Sequence, residues 1–134
     1  MTSKVTYRGD LRTHCVHIRS NSHFITDAPI DNNGKGEAFS PTDTVATGLA
    51  SCMMTVMGIK ARDLGVDLKG SSAEVTKHMV ADPRRISKIE VKLQLPGDVS
   101  DKNRKILEHT AKTCPVNQSL HPDIERAIEF HWGG

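Results

Sequence analysis

One run of apolar and small residues, TDTVATGLASCMMTVMGIKARDLG, constrains the fold of this chain more than any other feature. It follows Ser40, a residue type favoured at helix N-caps, and Pro41, which suits the first helical position. Asp43 stands where the acid of a capping box belongs. Apolar residues recur at helical spacing, so the run predicts one long helix. Residues 45–59 are almost all apolar or small, so we expect this helix to be buried all round, with a second subunit covering part of it.

The chain has 134 residues, a length that predicts a single domain over residues 1–134. Aromatic residues make up only 4%, so the core must rely on aliphatic residues and methionine, or borrow apolar area from a partner. The formal charge of +2 is small and dispersed, which argues against nucleic acid and anionic membranes as partners. No run resembles a signal peptide or a bilayer span, so we expect a soluble, cytoplasmic protein without membrane contact.

The remaining segments predict strands on both sides of the long helix. Residues 4–7 and 11–19 read as a hairpin that turns at Gly9-Asp10, and a short strand follows at 23–26. Residues 27–39 are rich in Gly, Asn and Asp and predict a loop.

After the helix, residues 71–80 and 86–95 predict two strands, and apolar and polar residues alternate cleanly along the second. Ser100 or Asp101 caps a predicted second helix that reaches about Thr113, and a short helix opens at Pro115. A last strand covers 124–132. This order predicts an α+β fold with mostly antiparallel pairing.

The chain carries three cysteines, an odd number that argues against static disulfides in a reducing compartment. Cys52 is either an inert core thiol or a reactive one, whose small neighbours leave room for a ligand. Cys114 precedes Pro115, so helix N–H groups are expected to stabilise its thiolate, unless it is only an N-cap. Cys15 lies on a predicted strand without an activating neighbour and reads as structural.

Two such thiols supply what disulfide-cycling catalysis requires, since one attacks and the second rescues the oxidised product. Metal binding is the rival use, through the run His14-Cys15-Val16-His17. Only Cys15 and His17 would share a face of a strand, and no second ligand cluster follows, so we expect no metal. A serine nucleophile is not expected either, because no G-x-S-x-G elbow occurs.

The run SPTDTVATGLASCMMTVMGIKARDLG, with TCPVNQSL some sixty residues later, resembles the OsmC/Ohr family of hydroperoxide reductases. The order of strands and helices agrees from about Lys4 to Trp132. The resemblance implies an OsmC-like α+β fold, in which antiparallel sheets surround a long buried central helix. It also implies an intertwined homodimer with two sites at the subunit interface.

The resemblance implies roles for four residues. Cys52 matches the cysteine that attacks peroxide, and Cys114 matches the resolving cysteine. Asp43 stands where the family carries an acid, usually Glu, that holds an arginine from the N-terminal strands. Arg12 is our best match for that arginine, with Arg8 and Arg19 as alternatives; Asp43 as a plain helix cap is the alternative for the acid.

The implied activity is a thiol-dependent peroxidase that reduces organic hydroperoxides. Arg12, oriented by Asp43, would favour the Cys52 thiolate, and an external dithiol, of lipoyl type or another small dithiol, would restore the thiols without a bound cofactor. Met53, Met54 and Val56 would favour an alkyl or lipid substrate. Two alternatives remain: a module that binds an apolar small molecule near Cys52 without turnover, and a redox sensor whose Cys52–Cys114 disulfide alters a partner contact.

Overall fold

The structure, a computed structural model of the chain, describes residues 1–133. The chain divides into two compact units, Met1–Val45 and the part from Ala46 onward. The expectation of a single domain over residues 1–134 stays a prediction.

The first unit contains a three-stranded antiparallel sheet in the order β1-β2-β3. Its strands are β1 (Ser3–Gly9), β2 (Arg12–His17) and β3 (His23–Asp27). The predicted hairpin is confirmed, and its turn places Gly9 and Asp10 at positive φ, a conformation that glycine and aspartate tolerate better than most residues. The second predicted strand ends earlier than expected, at His17.

The predicted loop after β3 is irregular apart from a single 3-10 turn at Ile30–Asn32. Gly34 allows the loop to fold back on itself, because a Cβ atom at this position would lie 1.7 Å from the carbonyl oxygen of Ala28. The loop therefore has a tight, defined path up to the start of the long helix.

The long helix, α1 (Pro41–Leu64), begins where the sequence predicts. The backbone N–H of Asp43 donates to Ser40 Oγ at 3.0 Å, and the N–H of Ser40 donates to Asp43 Oδ2 at 3.0 Å. These reciprocal bonds form a capping box, which satisfies two backbone donors at the helix start.

The expectation that α1 is buried all round, with a second subunit covering part of it, stays a prediction, because the chain taken alone buries only one face of the helix. One face is buried, and its members are Ala46, Leu49, Ala50, Met53, Met57 and Ala61. On other sides of the helix, Val45 is 42% exposed and Ile59 is 61% exposed. The homodimer that would cover more of α1 stays a prediction.

By length and composition, α1 could cross a membrane, which corrects the expectation that no segment is apolar enough to do so. A core helix of a soluble protein meets the same criteria. The buried face of α1 packs in one core cluster with residues of β5, as expected of such a core helix.

The second unit contains a mixed sheet in the order β4-β5-β6. Its strands are β4 (Ser72–Val80), β5 (Arg85–Leu95) and β6 (Glu125–Trp132). β5 pairs antiparallel with β4 and parallel with β6. The alternation predicted for β5 is confirmed, because Ile89, Val91 and Leu93 are fully buried.

Two helices connect the parallel strands β5 and β6: α2 (Asp101–Lys112) and α3 (Pro115–Ser119). Ser100 caps α2 through its side chain, as predicted, and Cys114 caps α3. The α+β class is confirmed, and three of the four strand pairings are antiparallel.

Candidate active site

Cys52 and Cys114 come together in the second unit, although 61 positions separate them in the sequence. Both thiols are free. They are close enough for the Cys52 side chain to affect the titration of Cys114 through hydrogen bonding and charge. The structure therefore brings the two sulfurs into one site, as disulfide exchange requires.

Cys52 lies in the middle of α1 and is partly exposed. It packs at the margin of the core cluster rather than inside it. Gly48, one turn earlier on the same side of the helix, leaves open space, because a Cβ atom there would meet nothing within 4 Å. The small neighbours of Cys52 therefore leave open space on this side of α1, where either a ligand or a packed helix would fit.

Cys114 is fully buried and occupies the N-cap of α3. Its Sγ accepts a hydrogen bond from the backbone N–H of Asn117 at 3.4 Å. Burial raises the pKa of the Cys114 thiol, and the neighbouring Cys52 raises it further. The N–H groups of Asn117 and Val116 act in the opposite direction but are outweighed. The expectation that the helix start would make Cys114 a thiolate is therefore wrong, because burial dominates.

Arg12 lies in the first unit, where Asp27 holds it. Its Nε and Nη2 donate to the two carboxylate oxygens of Asp27 at 2.6 and 2.8 Å, and Nη2 also donates to Glu37 at 3.4 Å. The hydrogen bond from Arg12 is the main reason why the pKa of Asp27 is lowered. Asp27 is only 2% exposed, and it also accepts a hydrogen bond from the backbone N–H of Glu37.

The acid that holds Arg12 bidentately is thus Asp27, whereas the resemblance had assigned this role to Asp43. Asp43 instead forms the capping box of α1 with Ser40. Arg12 and Asp27 are paired positions of the antiparallel strands β2 and β3, so the strand register, which local sequence patterns do not show, brings them together. Reading residue 27 as the first residue of a loop concealed that pairing.

The two alternative arginines differ from Arg12 in their surroundings. Arg8 contacts the Nδ1 atom of His14 through its Nη2 at 3.0 Å. Arg19 is exposed in the turn after β2. Of the three, Arg12 is the one whose guanidinium a buried carboxylate fixes.

The residues expected to contact substrate are split between the core and its margin. Met53 is fully buried, so it offers no surface to a substrate in this structure, contrary to expectation. Val56 and Met54 are half-buried. Met54 lines a groove of about 440 Å³, whose other lining residues are Thr47, Ala50, Ser51, Thr55, Ala73 and Val75.

Within residues 1–133, no three His, Cys, Asp or Glu side chains converge as a metal site would require. Cys15 is buried beside Thr13, with 3.8 Å between its Sγ and the threonine Oγ1. His14 Nε2 lies 2.9 Å from His23 Nδ1, and His17 Nδ1 lies 2.6 Å from Ser20 Oγ, so both histidines of the candidate metal run contact other side chains.

The model of the OsmC-like protein family matches residues 34–129, which is more than half of the chain. A protein from Psychrobacter arcticus, named only provisionally as an osmotic stress induced and detoxification response protein, is 57% identical. Its crystal structure has a TM-score of 0.94, and the match covers 98% of this chain and 96% of that one. The chain therefore belongs to the OsmC-like family.

Two more distant structures share the fold. The organic hydroperoxide resistance protein OsmC of Legionella pneumophila is 18% identical with a TM-score of 0.72, and the match covers 98% of this chain and 97% of that one. The organic hydroperoxide resistance protein OhrB of Bacillus subtilis is 19% identical with a TM-score of 0.70, with coverages of 97% and 98%. No curated protein matches the sequence of this chain.

Proposed function

We propose that this protein is a thiol-dependent peroxidase that reduces organic hydroperoxides, with Cys52 as the nucleophile and Cys114 as the resolving thiol. The observation that carries the proposal is the proximity of these two free thiols in one site. A pair of adjacent thiols can pass through a sulfenic acid to a disulfide and back.

The unequal burial of the two sulfurs supports the assignment of their roles. Cys52 is partly exposed and has open space at Gly48, so a hydroperoxide can approach it. Cys114 is fully buried, and its raised pKa keeps it as a neutral thiol at pH 7. A thiolate is the nucleophile in such reactions, so Cys52 is the better first attacker.

The proposed cycle has three balanced steps. The Cys52 thiolate attacks the terminal oxygen of ROOH, the O–O bond breaks, and the departing alkoxide takes a proton to leave as ROH. The Cys114 thiol then attacks the Cys52 sulfenic sulfur and gives up its proton to the departing hydroxyl group, so that an S–S bond forms and water is released. A dithiol reduces this disulfide by two exchanges and becomes a disulfide itself.

We assign Arg12 the role of stabilising the Cys52 thiolate and the departing alkoxide, as the family resemblance implies. Asp27 supports this role by fixing the orientation of the guanidinium through two hydrogen bonds. Asp43 contributes by capping the helix that carries Cys52.

An organic hydroperoxide suits the surroundings of Cys52 better than hydrogen peroxide. Val56 is apolar and half-buried one turn after Cys52, so it can contact an alkyl group. The Legionella and Bacillus proteins, which share the fold, are named for organic hydroperoxide resistance, and these names point in the same direction. We further propose a cytoplasmic homodimer and a small dithiol reductant, of lipoyl type or similar.

Stopped-flow oxidation of the reduced protein by cumene hydroperoxide tests the proposal. Cys52→Ser should abolish hydroperoxide consumption, whereas the matched control Cys15→Ser should retain it. Cys114→Ser should accumulate a sulfenic acid on Cys52 that dimedone traps. A Cys52→Ser variant as active as the wild type would end the enzyme hypothesis.

The groove beside Met54 favours a second candidate, a module that binds an apolar small molecule without turnover. Five of its seven lining residues lie on α1 and two on β4. Titration of the reduced thiols with hydroperoxide separates the candidates, because a binding module would show no rapid stoichiometric oxidation.

A further inference from the structure

Arg126 is a charged residue on the core-facing side of β6. It pairs in register with Ile89, which is fully buried. It alternates along the strand with Ile128, Phe130 and Trp132, which pack against the core. The Arg126 side chain is partly buried, and its guanidinium needs hydrogen-bond acceptors there, because removing a charge from water without partners is costly.

The Arg126 guanidinium donates five hydrogen bonds, as many as its N–H groups allow. Nε donates to Asn117 Oδ1 at 2.9 Å, and Nη2 donates to the carbonyl oxygens of Asn117 and Leu120 at 3.1 and 3.2 Å. Nη1 donates to the carbonyl oxygens of His121 and Ile124 at 3.2 and 2.6 Å. All five acceptors belong to the segment that follows Cys114, and none is charged.

Asn117 connects this cluster to the sulfur. Its backbone N–H donates to Cys114 Sγ at 3.4 Å, and its side-chain Nδ2 donates to the carbonyl oxygen of Lys112 at 2.8 Å. Arg126 therefore fixes Asn117 on one side, and the end of α2 fixes it on the other. The position of the Cys114 sulfur depends on that of Asn117.

We propose that Arg126 is a positioning residue for disulfide formation, which acts through Asn117 to hold the Cys114 thiol beside Cys52. The expected effect on the rate of disulfide formation after reaction with hydroperoxide rests on the proposed function. The step concerned forms the S–S bond, breaks the S–O bond of the Cys52 sulfenic acid and releases water. The five hydrogen bonds end on the segment around α3 and not on a sulfur, so the preceding attack on hydroperoxide should be unaffected.

Arg126→Lys is the main test, because lysine keeps the charge but cannot reproduce the planar fork of five donors. After one equivalent of cumene hydroperoxide, closure of the Cys52–Cys114 disulfide should slow about tenfold, as expected from losing one or two net hydrogen bonds. The oxidation rate of Cys52 should stay within about twofold of that of the wild type, since the variant loses no hydrogen bond to a group that takes part in the attack on hydroperoxide. Rapid quenching by alkylation, followed by mass spectrometry, measures both rates.

Arg104→Lys is the matched control. Arg104 also holds main-chain carbonyls, those of Val99 and Gly97 at 2.8 and 2.7 Å, but in the segment before α2. The control should leave closure of the disulfide unchanged. Asn117→Ala provides a second variant if Arg126→Lys fails to fold, and it should slow closure in the same way.

An equilibrium measurement separates this inference from the proposed function. In glutathione redox buffers, Arg126→Lys should lower the effective concentration of Cys114 at Cys52 about tenfold, whether or not any hydroperoxide is reduced. If the wild type lacks peroxidase activity and Arg126→Lys still lowers the effective concentration, the proposed function is refuted but the positioning role is supported. An effective concentration and closure rate equal to those of the wild type in a folded variant would overturn the positioning role.

Discussion

Arg12 and Asp27 are joined by two hydrogen bonds, of 2.6 and 2.8 Å, across the paired strands β2 and β3. The carboxylate is buried, while the guanidinium is one-third exposed. Within the first unit this ion pair should contribute to stability. It also fixes the orientation of the Arg12 guanidinium, for which we propose a catalytic role.

The first prediction concerns acid stability. The pKa of Asp27 is lowered in the folded state, so its contribution is present above about pH 4 and is lost as the pH falls toward the folded value. Asp27→Asn should lower the urea midpoint of unfolding at pH 7. The midpoint of this variant should also decrease less than that of the wild type as the pH is lowered. Asp10→Asn, in the exposed β1–β2 turn, is the control and should leave both unchanged. Equal behaviour of the two variants would contradict a stabilising role for the pair.

The second prediction concerns the reactivity of Cys114. Because burial raises its pKa, iodoacetamide should label Cys114 far more slowly than Cys52 at pH 7 in the native protein, with rates read by peptide mass spectrometry. The contribution of this group to stability is complete below about pH 8.5 and decreases as the pH rises further. The decrease should be absent in Cys114→Ser. Fast labelling of Cys114 in the native protein would show that it is not sequestered.

The third prediction concerns the positive charge of Arg12. Arg12→Lys keeps a positive charge but loses the bidentate geometry toward Asp27, so the oxidation of Cys52 by cumene hydroperoxide should slow. We expect the rate to fall about tenfold, which is part of the roughly 30-fold gain available when a thiol with a pKa near 8.5 becomes fully ionised at pH 7. Arg8→Lys is the control. If Arg8→Lys slows the reaction and Arg12→Lys does not, the catalytic role belongs to Arg8.

The fourth prediction compares the two sides of α1. Leu49→Ala, in the buried face, should lower the free energy of unfolding by about 2–5 kcal/mol. Ile59→Ala, at an exposed position, should change it by no more than about 0.5 kcal/mol if the chain is a monomer. A larger loss that depends on protein concentration would instead support the proposed homodimer. Urea titrations at two protein concentrations distinguish the monomer from the dimer.

Local patterns were enough to predict the principal helix and strands of this fold. The start of α1 follows from Ser40, Pro41 and Asp43, since a cap depends only on residues adjacent in sequence. The buried side of β5 follows from strict alternation. The pairing of Cys52 with Cys114 was suggested by the resemblance, and the structure brings the two thiols together.

The features that could not be predicted from the sequence depend on tertiary structure. Asp27 required knowledge of strand register, which places it opposite Arg12. The protonated state of Cys114 required knowledge of its burial, because the local helix effect has the opposite sign. One face of α1 is buried, and the uniform composition of the helix did not allow us to identify that face from the sequence.

The parallel pairing of β5 with β6 has an evolutionary consequence. Parallel neighbours require a long crossover connection, and here residues 96–124 supply it, with Cys114 inside it. A descendant that lost the sulfur at this position would still need the whole connection to keep its third strand. The fold can therefore be retained without the proposed redox chemistry, and we expect related proteins with other functions to keep the same arrangement of strands and helices.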